Sequence, residues 1–391
     1  MTALGQFSIP TQTRFGIGAI EGLGDILQAG GWIRVLAVVD PALVDSAIMK
    51  RIREIADAAG VALEVFSAIE PEPKDKAVVA GSALCRAQKS EAIIALGGGS
   101  AMDVAKAIGI LATNGGVVAD LEGVDRFSTP PLPLIAIPST AGTGSEVSGA
   151  AVITDTARNV KMAIRSARFG PAAYAILDPL AVSTVPAHVA VHAGVDAFVH
   201  AFESYVSKLA NPWTDGVNLH AIRLICQNIR PYVANRANVE AAMAMQNGSA
   251  MAALSFGVTG VGNVHCMAMA LGSAYPVPHG LANAVCLPHV ARFNLIANPK
   301  RFGDVAEAMG VTITGLSERE AAFKAVEAID QLCEDLSVPK RFRDLGDMGV
   351  GGVTEESLPA MAKKAFAADY NRWNPRYTTE ADFLALFKSA Y

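Results

Sequence analysis

Through its first 140 residues the chain alternates short apolar runs with stretches of helical spacing, and this rhythm restricts the fold more than any other feature. VLAVVD (35–40), LEVFS (63–67), AIIAL (92–96) and LIAIP (134–138) read as strands. Between them, residues 48–59, 78–88 and 101–111 read as helices. Runs this short and apolar suit strands buried on both faces. Successive parallel strands need a crossover, and the intervening helices supply it, so the pattern predicts a parallel sheet with helices on both sides. After about Pro186 the β-branched runs give way to long Ala-, Met- and Leu-rich stretches: 189–206, 217–233, 239–256 and 318–336. The expected architecture is an α/β N-terminal domain with a parallel, Rossmann-like sheet (1–185), followed by an all-α C-terminal domain (186–391).

A length of 391 residues suits two domains, and 51% hydrophobic against 18% charged residues allows a large core. The formal net charge of -5 offers no general attraction to nucleic acid or an anionic membrane. The five cysteines (Cys85, Cys226, Cys266, Cys286, Cys333) are scattered with no CxxC pair, which reads as reduced, intracellular usage. The N-terminus lacks a basic start followed by an apolar run, so a cytoplasmic protein without a signal peptide is expected. Between Ala241 and Ala291 there is no Asp, Glu, Lys or Arg. That length would span a bilayer, but Gln246, Asn247, Asn263, His265, glycines and prolines interrupt it. Helices buried on all sides inside a globular domain are the expectation, with no membrane partner.

Gly97, Gly98, Gly99 and Ser100 join a predicted strand to a predicted helix. A helix N-terminus presents unpaired N–H groups to a phosphate, and glycine allows close approach. The pattern is not GxGxxG, and a tight turn without a ligand would look the same. Asp40 closes the first strand, where an acid can accept from a ribose 2′-hydroxyl and repel a 2′-phosphate; it could equally cap a helix beginning at Pro41. PSTAGTGSE (138–146) follows the last strand and offers Thr140, Thr143 and Ser145 to a pyrophosphate or nicotinamide, or forms an ordinary loop.

Asp196 and His200 lie four apart in a helical stretch and so share one face. His265 and His279 follow in the charge-free region, where an unpaired polar group is costly. One carboxylate and three imidazoles suit a divalent first-row metal: Fe²⁺, Zn²⁺ or Co²⁺. The remaining histidines, His188, His192, His220 and His289, read as ordinary packed residues.

The chain resembles the iron-containing (group III) alcohol dehydrogenases, a family that includes lactaldehyde reductase and 1,3-propanediol dehydrogenase. The resemblance runs from FGIGAIEGLGDIL (15–27) through GGGSAMDVAKAIG, PSTAGTGSEVS, ITD, LDP (177–179), GVDAFVHAFE and PVPHGLANAVCLPHV to NPR (374–376). It implies a dinucleotide-binding domain followed by a helical, metal-binding catalytic domain, in agreement with the boundary above. It places the metal, Fe²⁺ first and Zn²⁺ second, on Asp196, His200, His265 and His279. It places cofactor contacts on Asp40, Gly99, Ser100, Asp103, Thr140, Thr143, Lys161 and Leu180, with Gly98 and Ser145 in the same two loops, and an acid at Asp40 goes with NAD rather than NADP. Ala150, Phe256 and Met269 fall at the implied substrate pocket. The small residues Gly149, Ala150 and Ala151 suggest a roomy site, and Arg165 and Arg168 are either surface arginines or a welcome for an anionic tail.

The chain departs from the family at two places. Many relatives carry a second histidine four residues after the first metal histidine of this segment; here it is Met269, which cannot carry a proton. Relatives often read Asn-Pro where this chain has Glu72-Pro73. The implied reaction is hydride transfer between nicotinamide and a small primary alcohol or aldehyde, in a homodimer or larger homo-oligomer. The alternatives are a maleylacetate-reductase-like oxidoreductase acting on an anionic substrate and a dehydroquinate-synthase-like lyase.

Overall fold

The computed structural model describes residues 7–348 and 352–391. They divide into two compact units, Ser8–Val185 and Pro186–Tyr391, the second joined by Phe7, whose ring stacks on Trp213.

The first unit holds nine strands: β1 (Gln12–Phe15), β2 (Arg34–Val39), β3 (Ala62–Phe66), β4 (Ala92–Gly97), β5 (Gly123–Val124), β6 (Leu134–Pro138), β7 (Ala150–Asp155), β8 (Val160–Arg165) and β9 (Tyr174–Leu177). Six form one all-parallel sheet in the order β1-β9-β6-β4-β2-β3. Its helices are α1 (Leu23–Gly30), α2 (Ala47–Ala58), α3 (Asp75–Ala87), α4 (Gly99–Asn114) and the single turn α5 (Pro179–Val182). Alternate side chains of each central strand serve different cores. Leu36, Val38, Ile93, Ala95, Leu134 and Ala136 pack with α3 and α4. Val35, Ala37, Val39, Ile94, Leu96, Ile135 and Ile137 pack with α1 and α2. Burial on both faces is why these strands read as unbroken apolar runs. β5, β8 and β7 form a separate small sheet in which β7 and β8 pair antiparallel. After β3 the chain returns to the other side of β2, so β2 and β4 lie side by side. At such a reversal the carboxyl ends of the strands frame a crevice for a ligand.

The second unit is helical: α6 (Ala187–Val206), α7 (Pro212–Ala234), α8 (Val239–Thr259), α9 (Asn263–Ala274), α10 (His279–Asn294), α11 (Pro299–Ala308), α12 (Glu318–Asp335), α13 (Leu358–Ala367) and α14 (Glu380–Ala390). Side-chain caps begin several of them. Asn211, Ser317 and Thr379 form capping boxes for α7, α12 and α14, and Asn238 and Asn298 accept from first-turn N–H groups of α8 and α11. α6 packs against α7, α8 and α10. Among the described residues no single helix is long and apolar enough to cross a membrane; α8 and α9 together have the composition but bend by 98° at their break.

The fold class is the expected one, and the four expected strands appear within a residue or two of their places. β1, β5, β7, β8 and β9 were not foreseen. β1 is wholly exposed and polar except for Phe15, β5 has two residues, β7 and β8 mix buried with outward-facing residues, and β9, though apolar, spans only four residues.

Candidate active site

Helix α6 sets two of the four expected ligands. Asp196 and His200 sit one turn apart, both buried. Gly260, with φ 66°, ends α8, and α9 begins at Asn263, which puts His265 in its first turn. Pro278 precedes α10, whose first residue is His279. These starts bring the donors together. Asp196 Oδ1 lies 4.0 Å from His265 Nε2 and 3.9 Å from His279 Nε2, and Asp196 Oδ2 lies 3.9 Å from His200 Nδ1. His265 Nε2 and His200 Nε2 are 3.1 Å apart. One donor atom each from Asp196, His265 and His279 falls within 4.8 Å of the others. The His279 side chain is 48% exposed, whereas Asp196, His200 and His265 are at most 8% exposed, so the cluster opens outward at His279.

Two residues that sequence reasoning did not single out complete the cluster. Asn283, one turn after His279 on α10, donates its amide to Asp196 Oδ1 at 2.6 Å and lies 3.1 and 3.3 Å from His279 Nε2 and His265 Nε2. Its Oδ1 is buried without a hydrogen-bond partner. Glu203, one turn after His200, lies 2.6 Å from His265 Nδ1. A carboxylate only accepts, so Nδ1 carries the proton and Nε2 faces the other donors. Their signal in the sequence was spacing alone: an acid at i+3 from His200 and an amide at i+4 from His279.

The donor set fits a divalent cation. A carboxylate 3% exposed is surrounded by imidazole nitrogens, and no lysine or arginine is among the groups that set its charge. Electron pairs of this kind, converging in a dry site, are stabilised by a positive ion. Burial alone would raise the Asp196 carboxyl, but the three imidazoles and the Asn283 amide outweigh it and hold it below its usual range. Burial pushes His265 down, yet Glu203 and Asp196 prevail and raise it. Phe256 stacks on His200 with ring centroids 4.4 Å apart. Met269 lies one turn beyond His265 on α9 and is 41% exposed.

Of the expected cofactor residues, Asp40, Gly98, Gly99, Ser100, Thr140 and Thr143 follow the C-terminal ends of β2, β4 and β6, whereas Lys161 lies on β8 and Leu180 on α5. Gly97 has φ 156°, and a Cβ there would stand 2.5 Å from Ala101 Cβ and 3.1 Å from Asp40 Cβ, so the turn requires glycine and sets Asp40 beside it. Asp40 also accepts from Ala42 N–H at 3.0 Å, the capping role that was its alternative. Gly98 is the N-cap of α4 with no side-chain cap. Thr140 lies against Gly98 and Thr143 against Gly99, so the two loops meet. Ser100 donates to the Pro71 carbonyl at 2.6 Å. Lys161 pairs with Glu72 at 2.8 Å, which links one expected cofactor contact to one of the two departures. Leu180, on α5, is 50% exposed.

Asp103 and Ser145 are turned inward. Asp103 accepts from Ser145 Oγ at 2.8 Å and from Val152 N–H at 2.9 Å. Buried Lys106 donates to Ser145 Oγ, the Ser148 carbonyl and the Ala150 carbonyl at 2.8–2.9 Å. Burial lowers the Lys106 ammonium to about 8 against the pull of Asp103 and Glu146, and raises Glu146 to about 7. The small size of Gly149 has a packing cause, since a Cβ there would sit 2.4 Å from the Ser166 carbonyl oxygen. Ala151 is buried, and Arg168 lies exposed over the Phe169 ring.

Comparison with known proteins gives this architecture a family. The iron-containing alcohol dehydrogenase profile matches residues 10–179, and the C-terminal profile of the Fe-containing alcohol dehydrogenase family matches residues 190–391. The chain is 41% identical to 1,3-propanediol dehydrogenase of Klebsiella pneumoniae over 98% of each chain. It is 36% identical to the NAD-dependent methanol dehydrogenase of Bacillus methanolicus over 98% of this chain and 99% of that one. The crystal structure of a 1,3-propanediol oxidoreductase superposes with a TM-score of 0.95 at 40% identity, covering 99% of this chain and 100% of that one. The protein belongs to the iron-containing alcohol dehydrogenase family. Its activity is accordingly that of a metal-dependent, nicotinamide-linked alcohol dehydrogenase or aldehyde reductase, acting on CH–OH groups.

Proposed function

We propose that Asp196, His200, His265 and His279 hold the metal, Fe²⁺ first and Zn²⁺ as the other candidate, and that NAD is the preferred cofactor for oxidising a small primary alcohol or reducing its aldehyde. The observation that carries this reading is the buried convergence of one carboxylate and three imidazoles, open to the outside only at His279. The cation supplies Lewis acidity, which favours the alkoxide of the alcohol or the polarised carbonyl of the aldehyde. The protein groups do the rest. Buried Asp196 offsets part of the ionic charge, Phe256 fixes the ring plane of His200, and the apolar helices around both keep water from the site.

In the first unit, the N–H groups at the start of α4 would receive the pyrophosphate of the dinucleotide, with Thr140 and Thr143 beside them, and Asp40 would disfavour a 2′-phosphate. Met269 cannot relay a proton, so exchange with solvent runs past His279, the exposed member of the set. The intact donor set favours this reading over a metal-free maleylacetate-reductase-like enzyme, and three histidines favour it over a dehydroquinate-synthase-like lyase. A homodimer or larger homo-oligomer is the expected assembly.

The test is NADH formation from short primary alcohols and diols after chelation and after restoring Fe²⁺, Zn²⁺ or Mn²⁺. Metal-restored turnover, lost with bound metal in Asp196→Ala and His265→Ala, is expected. Full rate and full metal content in those variants would refute the ligand assignment.

A further inference from the structure

We propose that Glu203 is a positioning residue for the metal centre: it fixes the tautomer and rotation of His265 so that Nε2 is the nitrogen offered to the cation. The inference rests on the ligand assignment above. The Glu203 side chain is 2% exposed, and its two oxygens divide their work. Oε1 accepts from Val264 N–H at 2.6 Å. Oε2 meets His265 Nδ1 at 2.6 Å and His265 N–H at 3.4 Å. The carboxylate therefore grips both the ring and the backbone of one residue, and it comes from the same helix, α6, that carries Asp196 and His200. One turn of α6 separates His200 from Glu203, so ligand and support are held in fixed relation without a loop between them. With Nδ1 protonated, Nε2 keeps its lone pair and lies 3.1 Å from His200 Nε2 and 4.0 Å from Asp196 Oδ1. A carboxylate behind a ligating imidazole also raises its basicity toward the ion.

A simpler role must be separated from this one. The N–H groups of Val264 and His265 belong to the first turn of α9, so Glu203 also caps that helix. Glu203→Gln distinguishes the two. Glutamine offers one acceptor where the site uses two. If its oxygen turns to Val264 N–H, its NH₂ faces Nδ1 and forces the proton onto Nε2. If the oxygen turns to Nδ1, the cap on Val264 is lost. A purely capping role lowers the melting temperature and leaves metal affinity alone.

The experiment measures Co²⁺ affinity of the metal-stripped full chain by competition with a chromophoric chelator, together with the visible spectrum of bound Co²⁺. Wild type, Glu203→Gln, Glu203→Asp and Asp196→Ala are compared, each first shown to be folded. Glu203→Gln is expected to bind Co²⁺ about 10- to 100-fold more weakly with an altered spectrum. Glu203→Asp, which keeps the charge but withdraws it by one methylene, is expected to fall between. Wild-type affinity and spectrum in either folded variant would overturn the proposal, even if the other variant fails to fold. If Asp196→Ala also binds Co²⁺ as tightly as wild type, the ligand assignment itself fails, which separates the two failures.

Discussion

Replacing Lys106 by methionine tests whether the loop beside the cofactor turn is held by one buried charge. The ammonium is 4% exposed and reaches Ser145 Oγ, the Ser148 carbonyl and the Ala150 carbonyl within 2.8–2.9 Å, with the carboxyls of Asp103 and Glu146 acting on its charge. Methionine preserves length and apolar contact but removes three donors and the charge. Leaving a buried acceptor without its donor costs about 1–3 kcal/mol. Three acceptors lose the ammonium, while Asp103 retains hydrogen bonds from Ser145 and Val152, so about 3 kcal/mol is the expected loss. For a cooperative unit of this size that corresponds to a fall in melting temperature of about 6–12 °C. The same lysine ties down the C-terminal end of the 138–148 loop, whose Thr140 and Thr143 lie against Gly98 and Gly99. KM for NAD is therefore expected to rise more than kcat falls. Thermal and urea unfolding, with steady-state kinetics, measure both effects. The double variant Lys106→Met with Asp103→Leu should recover part of the lost stability, because Asp103 is then no longer buried without the lysine, while Glu146 still is. A Lys106→Met protein within about 1 kcal/mol of wild type, or a double variant no better than the single, would show that the network does not hold the loop.

Two further outcomes follow from named contacts. Glu72→Gln frees Lys161 and removes a negative charge near the start of α4, so NAD should bind up to about 5-fold more tightly, the equivalent of ~1 kcal/mol for an exposed pair. Titration at low and high salt checks it, because the gain should shrink as salt screens the charges, and weaker binding would contradict the electrostatic account. Gly280→Ala would place a Cβ 2.3 Å from the His192 carbonyl oxygen, an atom that cannot swing aside, so α10 and His279 must shift. A loss of about 1–3 kcal/mol in stability and substoichiometric metal in the purified protein are expected, and normal metal content would show that His279 tolerates the displacement.

The central sheet was readable because β2, β4 and β6 are buried on both faces and, after Arg34 at the start of β2, leave no polar residue to blur the run. β7 and β8 escaped because half their residues face outward, and β1 because almost nothing in Gln12–Phe15 is apolar. Asp196 and His200 were paired by their spacing, whereas His265 and His279 were marked by their charge-free surroundings and by family resemblance, since only folding brings α9 and α10 against α6. Spacing was silent about direction. Asp103 and Ser145, expected at the cofactor, spend their hydrogen bonds on each other and on Lys106. Gly149, expected to widen a pocket, is small because the Ser166 backbone lies against it.

Helix α6 shows what a sequence pattern can and cannot say about a site. His188, His192, Asp196 and His200 recur every four residues and so run along one stripe of the helix. By spacing, any adjacent pair could hold an ion. Burial separates them: His188 is exposed, His192 is partly buried, and Asp196 and His200 are almost wholly covered. The ring of His192 meets that of His188 rather than a ligand cluster, and burial drives its imidazole down to about 4, so near neutrality it is uncharged. Deeper along the same stripe the carboxylate of Asp196 meets nitrogen atoms from three histidines, and Glu203, one turn further, sets the orientation of one of them. The difference lies in α8, α9 and α10, which bring Phe256, His265, His279 and Asn283 to Asp196 and His200. A chemically plain four-residue repeat thus gathers metal-ligating donors only where neighbouring helices exclude water and supply the missing ones.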